Sequence, residues 1–376
     1  MKTPILHVLE DATVVDSFIN LMETVYPQES IYLVIIDGNN PIKVHSQERV
    51  LFFQRKSKEL VDFLRNTSSY RHVCLHSIGD EKLLLNIHHP SVSWVIWGWD
   101  LYEKLLSFVG YQLYESERDQ YRIRARGKNM PVFIYRVLTF MRDLKIFYRE
   151  KRLLRRVKYI ITDNDCDYGV YKQYFPRSKK EHLGTINYYP IEQLIKNSFI
   201  HKECNGTAIW VGNSASANGN HLGVFRLLST FSNNIKVYSP ISYGDKRFTD
   251  YIDQEGTRLL GECFCPLKEF VPVEQYYSLF LDANSFVFGH YRQCGVGNIL
   301  MALFFGGKCF FYKKNPLYQM YLDSGFSVFS IEDDLNEKFA VTPLSSDVRN
   351  KNRELVLKIA SYESSLEQIR NVFGKI

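Results

Sequence analysis

Short runs of β-forming residues alternate with longer amphipathic stretches along this chain, and the alternation starts twice. In the first pass the runs are Ile5–Leu9, Tyr32–Asp37, Val73–His76, Trp94–Gly98 and Tyr159–Asp163, with helical patterns such as 47–65 between them. Apolar runs joined by helical crossovers are the pattern of parallel strands buried on both faces. The second pass has Ala208–Ser214, Lys236–Pro240, Ser285–Gly289 and Lys308–Lys313. The expected fold is therefore α/β in two halves, the second a Rossmann-like unit. A length of 376 residues agrees, because one hydrophobic core seldom organises more than about 300. The polar stretch 190–206 reads as a linker, giving halves over 1–195 and 205–346 and a last helical segment, 347–376, that crosses back to the first half.

Several classes are disfavoured at once. The first residues, MKTPILHVLED, turn acidic without the apolar centre of a secretory leader, and the longest apolar runs, 31–36 and 299–305, fall short of the roughly 20 residues a spanning helix needs. A soluble or peripheral protein is expected. Among seven cysteines the only close couple, Cys263 and Cys265, lacks zinc or redox spacing, so a reduced cytosolic chain without a metal site is expected. A net charge of +6 and the lack of a recognition module disfavour nucleic acid.

Two strand-to-helix turns in the second half carry the chemistry. Gly212, Asn213 and Ser214 follow the strand AIWV and lead toward a helix near Leu222, where backbone amides can meet an anion. An ordinary capped loop explains this turn equally well on local grounds. The second turn is Tyr291-Arg292-Gln293-Cys294-Gly295-Val296-Gly297-Asn298, ahead of an apolar helix. Its glycines permit close backbone approach, the helix start favours negative charge, and Arg292 suits a leaving diphosphate. Neither turn is a Walker loop or a full dinucleotide fingerprint. Two such turns in one Rossmann-like half point to a nucleotide, and with no convincing DxD pair no obligatory cofactor or metal is expected.

In the first half, Asp100 ends the segment WVIWGWD beside Trp97 and Trp99, placed to act as a general base or to orient a sugar hydroxyl. Capping of the following helix accounts for it equally well. His7 and His76 each lie at the end of an expected strand in the same half, so all three side chains are expected at one opening, although any one of them alone is more often structural. A basic tract from Arg136 to Lys158, interleaved with Phe140, Phe147 and Tyr148, suits an anionic lipid surface or, more plainly, a solvated helix face. Transfer of a sugar, another nucleotide-sugar reaction such as epimerisation, and non-catalytic binding of carbohydrate or a lipid surface remain open at this point.

The ordered motifs resemble those of the family 56 glycosyltransferases over most of the chain. The likeness rests on His7 to Leu9, the strand-end His76, the segment IWGWDLYE, VGNS with Asn218 and His221, Pro240 with Tyr243, Arg292-Gln293 with Gly295 and Gly297, and Asn315-Pro316. The resemblance implies a GT-B fold, two Rossmann-like domains facing across a cleft, with the donor nucleotide in the second. The segment Tyr238 to Tyr243, which follows a strand of that half, is expected to flank the base. The resemblance further implies a 4-acetamido-4,6-dideoxyhexose-like sugar carried on TDP, a polyprenyl-diphosphate-linked saccharide acceptor, and work at the cytoplasmic face of the inner membrane as a peripheral protein. An insertion over 112–131 and the bulk of Trp99 depart from the family pattern, both in the acceptor half.

Overall fold

The computed structural model describes residues 3–46, 48–116, 120–121, 123–124, 128, 130–232 and 234–376. The chain forms two compact units, one made of residues 1–111, 141–193 and 360–376 and the other of 112–140 and 194–359. Residues 112–140, which their position in the sequence would assign to the first half, thus cluster with the second. The expected insertion at 112–131 lies partly outside the described residues. Its described part is held by Leu113, 1% exposed, and by the Glu115 amide, which donates to Asn220 Oδ1 at 2.9 Å.

The first unit holds a parallel sheet in the order β3-β2-β1-β4-β5-β6-β7. Its strands are β1 (Ile5–Glu10), β2 (Ser30–Ile36), β3 (Val50–Gln54), β4 (His72–His76), β5 (Val92–Val95), β6 (Tyr159–Thr162) and β7 (Glu181–Thr185). The central β1, β4 and β5 are buried nearly throughout, as parallel strands covered on both faces must be. The helices Val15–Val25 and Tyr362–Phe373 add Phe18, Met22, Ile369 and Phe373 to a core with Ile5, Tyr32 and Ile161.

The second unit repeats the scheme with β8 (Ala208–Val211), β9 (Val237–Pro240), β10 (Phe264–Leu267), β11 (Ala283–Phe288), β12 (Lys308–Phe311) and β13 (Phe329–Ser330), ordered β10-β9-β8-β11-β12-β13. Val224, Phe225, Ile252 and Phe264 pack with Val211, Val237, Val287 and Phe310 in its core. The strand order matters for function. From β8 the chain builds outward through β9 and β10, then returns to the other side of β8 for β11, so the connections after β8 and β11 leave in opposite directions. The carboxyl ends of such a strand pair form a crevice where ligands bind. Asn315-Pro316, one of the ordered motifs, is a helix start: Asn315 Oδ1 accepts from Leu317 N–H at 3.0 Å and Pro316 fills the first helical position.

Candidate active site

Two loops meet at the carboxyl ends of β8 and β11. Gly212 leaves β8 in the left-handed region, with φ of 74°, and its N–H donates to Val287 O at 2.9 Å. A Cβ there would stand 2.5 Å from His221 Nε2, so both the backbone turn and the neighbouring imidazole demand glycine. His221 opens the helix His221–Leu228 and is almost wholly buried; its Nε2 has no hydrogen-bond partner among the described residues. Burial, then the charge of His290, pushes the His221 pKa down to about 3, which keeps the ring neutral at physiological pH.

The second loop runs from Gly289 to Gly295. Gly289 lies so close to the first loop that a Cβ would sit 2.5 Å from Gly219 O, and Asn220 Nδ2 ties the loops by donating to Gly289 O at 2.8 Å. Asn220 itself is left-handed, with φ of 48°, a conformation asparagine tolerates better than most residues. His290, Arg292 and Gln293 are buried, and Arg292 Nη1 donates to Gln293 O at 2.5 Å. Gly295, φ 74°, then starts the helix Val296–Phe304; the first intrahelical bond runs from Ile299 N–H to Gly295 O, so the amides of Val296, Gly297 and Asn298 precede it. Asn213 reaches this helix start: its Cγ is 3.2 Å from the position of a Gly295 Cβ.

The structure therefore brings Gly212, Asn213 and His221 together with Gly295 and the helix start at Gly297 and Asn298, with Ser214 buried in the same loop. The Asn298 side chain is committed, its Oδ1 accepting from Tyr276 OH at 3.2 Å. Pro240 ends β9, and Tyr243 O accepts from Ala215 N–H at 2.7 Å while its ring remains exposed. Tyr238 is not brought to the loops. It lies near the amino end of β9 and donates its hydroxyl to Asp282 Oδ2 at 2.8 Å, at the foot of β11. Asn220, Gly289 and His290 do not stand out in the sequence, although the run Asn218-Gly219-Asn220, rich in turn formers, is a signal for the first.

In the first unit, Asp100 is fully buried and accepts four N–H bonds: Ile78 at 3.1 Å and Trp94 Nε1 at 2.7 Å on Oδ2, Trp97 at 3.1 Å and Leu101 at 3.0 Å on Oδ1. It fastens the loops that follow β4 and β5, where Ser77 holds a left-handed φ of 79°. Burial raises its pKa despite these bonds. In this geometry it presents no oxygen to solvent. His7 and His76 are also fully buried, joined Nδ1 to Nε2 at 3.0 Å, and do not bond to Asp100. Ser30 Oγ meets the other nitrogen of His7 at 3.3 Å and Tyr188 OH that of His76. The expectation of three side chains at one opening is not met, because β1 continues to Glu10 and His7 lies beneath Phe18 and Phe373. Burial holds both histidines neutral, well below their ordinary pKa. Cys74 joins them so that ligand-type atoms of all three lie within 4.8 Å, a spacing a metal would accept, but the imidazole nitrogens are already engaged as described.

The architecture is shared with solved proteins. HepE from Anabaena, in complex with UDP and glucose, matches with a TM-score of 0.62 at 11% identity over 100% of both chains. A glycosyltransferase from Rickettsia africae matches at 0.63 and 10% identity, again over 100% of both chains. Sucrose-phosphate synthase from Thermosynechococcus elongatus gives 0.63 at 11% identity, over 99% of this chain and 98% of that one. The two parallel α/β units are those of the GT-B glycosyltransferases, and the chain is a hexosyltransferase of this class. Residues 132–364 match the family described as 4-alpha-L-fucosyltransferase, glycosyl transferase group 56, and the chain belongs to that family.

Proposed function

We propose that this enzyme moves a 4-acetamido-4,6-dideoxyhexose-like sugar from a TDP-linked donor to a polyprenyl-diphosphate-linked saccharide in the synthesis of a bacterial surface polysaccharide. The observation that supports this most is the meeting of the Gly212 and Gly295 turns at the switch point of the second sheet, beside an imidazole nitrogen without a partner among the described residues. A nucleoside diphosphate suits that place. The amides that open the helix Val296–Phe304, the helix dipole and Arg292 meet the charge that grows on the diphosphate as the glycosidic bond breaks. The proposal needs no metal ion for this task. UDP in HepE, on the same fold, supports the ligand class, and the deoxyhexosyl name of the family supports the sugar class.

On the acceptor side, Asp100 works by position: its four hydrogen bonds hold the loops after β4 and β5. His7 and His76 support the same unit from within as a neutral, hydrogen-bonded pair. The test is a thermal-shift comparison of TDP, UDP, GDP and CMP, followed by assay of the TDP-sugar with a short-chain polyprenyl-diphosphate acceptor. A ligand at a hundred times its Kd stabilises by about 2.7 kcal/mol. TDP should shift the transition most and be released in step with transfer. No response to any nucleotide would overturn the donor site, and a larger response to UDP would overturn the thymidine assignment.

A further inference from the structure

The helix Val132–Leu154 has two faces that water should avoid. Tyr135, Thr139, Glu150 and Leu153 are buried along one stripe. On the opposite side Phe133 is 76% exposed, and Ile134, Val137, Leu138, Phe140 and Met141 lie between 47% and 57%. Residues 133, 134, 137, 138 and 141 recur at the spacing of a single helical face. Isolated surface hydrophobes are ordinary, but six within ten residues of one helix make a patch.

The second half of the helix changes chemistry along its exposed side. Lys145, Arg149, Lys151 and Arg152 are exposed there around Tyr148, with Arg136 and Arg142 beside the apolar stretch. Within the helix two acids oppose them, and Arg149 also meets Glu81 of a neighbouring element at 3.5 Å. Asp143 accepts from Arg142 at 2.8 Å, and Glu150 points inward, where burial raises its pKa to about 9 and keeps it uncharged. The basic tract seen in the sequence also ends sooner than Lys158: Arg156 donates to the carbonyls of Leu85 at 2.6 Å and Ile87 at 2.5 Å and is not available to a surface.

We infer that this helix is a membrane-contact element, whose Phe133–Met141 face enters the acyl boundary of a bilayer while the basic side chains that follow meet anionic headgroups. The occupant is set by charge and apolarity together. A basic helix with almost no free acid selects an anionic surface, and an apolar stripe selects one with an apolar interior behind it. Among the described residues no helix is long and apolar enough to cross a membrane, so the contact is interfacial. The lipid-linked acceptor proposed above gives this surface a purpose, but the surface stands on its own observations. Adsorption is then only partly electrostatic.

The test is co-sedimentation of the full chain with phosphatidylcholine vesicles, with and without phosphatidylglycerol, at low and high salt. The parent should bind anionic vesicles best at low salt and keep a residual fraction at high salt. Val137→Asp with Leu138→Asp should lower partitioning by roughly tenfold or more at both salts. Lys145→Glu with Arg152→Glu should abolish the preference for anionic vesicles. Nucleotide thermal shifts on the same variants should equal the parent's, which separates failure of this surface from failure of the donor site. A parent that ignores vesicles, or apolar-face variants that bind like the parent, would overturn the inference. So would a parent dimer that those variants convert to monomer with vesicle binding intact, which would make a second copy the occupant.

Discussion

Replacing Gly212 by alanine separates two demands that the donor loop makes on one residue. The first is conformational: at φ of 74° a non-glycine residue pays about 1–2 kcal/mol. The second is steric. The new Cβ would lie 2.5 Å from His221 Nε2 and 3.2–3.3 Å from the adjoining ring carbons, and the ring has no room to swing because Gly219 crowds its other edge. Overpacking of this kind costs about 1–3 kcal/mol. Gly212→Ala should therefore destabilise by about 2–5 kcal/mol in urea denaturation and weaken nucleotide binding beyond what the stability loss explains. Repeating the substitution in a His221→Ala background removes the steric part and should leave only about 1–2 kcal/mol, so the cycle isolates the imidazole contact. If Gly212→Ala cost under about 0.5 kcal/mol in both backgrounds with nucleotide affinity unchanged, the close packing of Gly212 on the His221 ring would be refuted.

Arg292→Ala should weaken nucleoside-diphosphate binding or slow transfer by about 1.5–3 kcal/mol, read by calorimetry and initial rates; values equal to the parent's in both would remove Arg292 from the site. Asp100→Asn turns an amide NH2 toward two of the four donors and should cost about 2–4 kcal/mol of stability, with turnover falling as a consequence; an equally stable variant would contradict the fastening role. Glu150, buried with both oxygens lacking partners among the described residues and its pKa raised to about 9, is a burden above its unfolded pKa, so Glu150→Gln should raise stability at pH 7.5 by on the order of 2–3 kcal/mol. In that background His72, His76 and His221, each depressed to about 3 by burial, stay neutral when folded but take up protons when unfolded below about pH 6.5. Their contribution is complete above that pH and declines toward pH 3, so urea midpoints should be lower at pH 5 than at pH 7; identical midpoints would count against it.

The inner strands of both sheets are legible in the sequence because parallel strands buried on both faces leave long apolar runs, and the turns at Gly212 and Gly295 are legible because only glycine suits their backbone. The edge strands β3, β7, β10 and β13 are not, and the stretch 47–65, expected to be helical, holds the strand Val50–Gln54 ahead of a helix that covers only Lys58–Arg65. Strand ends are not legible either. His7 sits in the middle of a strand that continues to Glu10, not at its close, and Tyr238 belongs to the foot of a strand that begins at Val237, not to its ligand end. Each difference is of two or three residues, enough to move a side chain from a crevice to a core or from one end of a sheet to the other. The affiliation of residues 112–140 depends on contacts such as Glu115 with Asn220, distant in sequence and invisible to any local pattern. The exposed face of the helix Val132–Leu154 is masked for a related reason: apolar residues on both sides blur the periodicity that would show which side is buried.

The helix Tyr362–Phe373 has a consequence for how the chain is made. Ile369, Val372 and Phe373 are buried in the first unit, with the Phe373 ring 5.3 Å from that of His7. A ribosome delivers the strands of that unit before the strands of the second unit, and this helix only after the second unit has been synthesised. Domains usually fold in the order in which they emerge, yet the earlier one in this chain cannot close its core until the later one has been completed. The first unit must wait with part of its apolar sheet uncovered, and the nascent protein should depend on chaperones most during that interval.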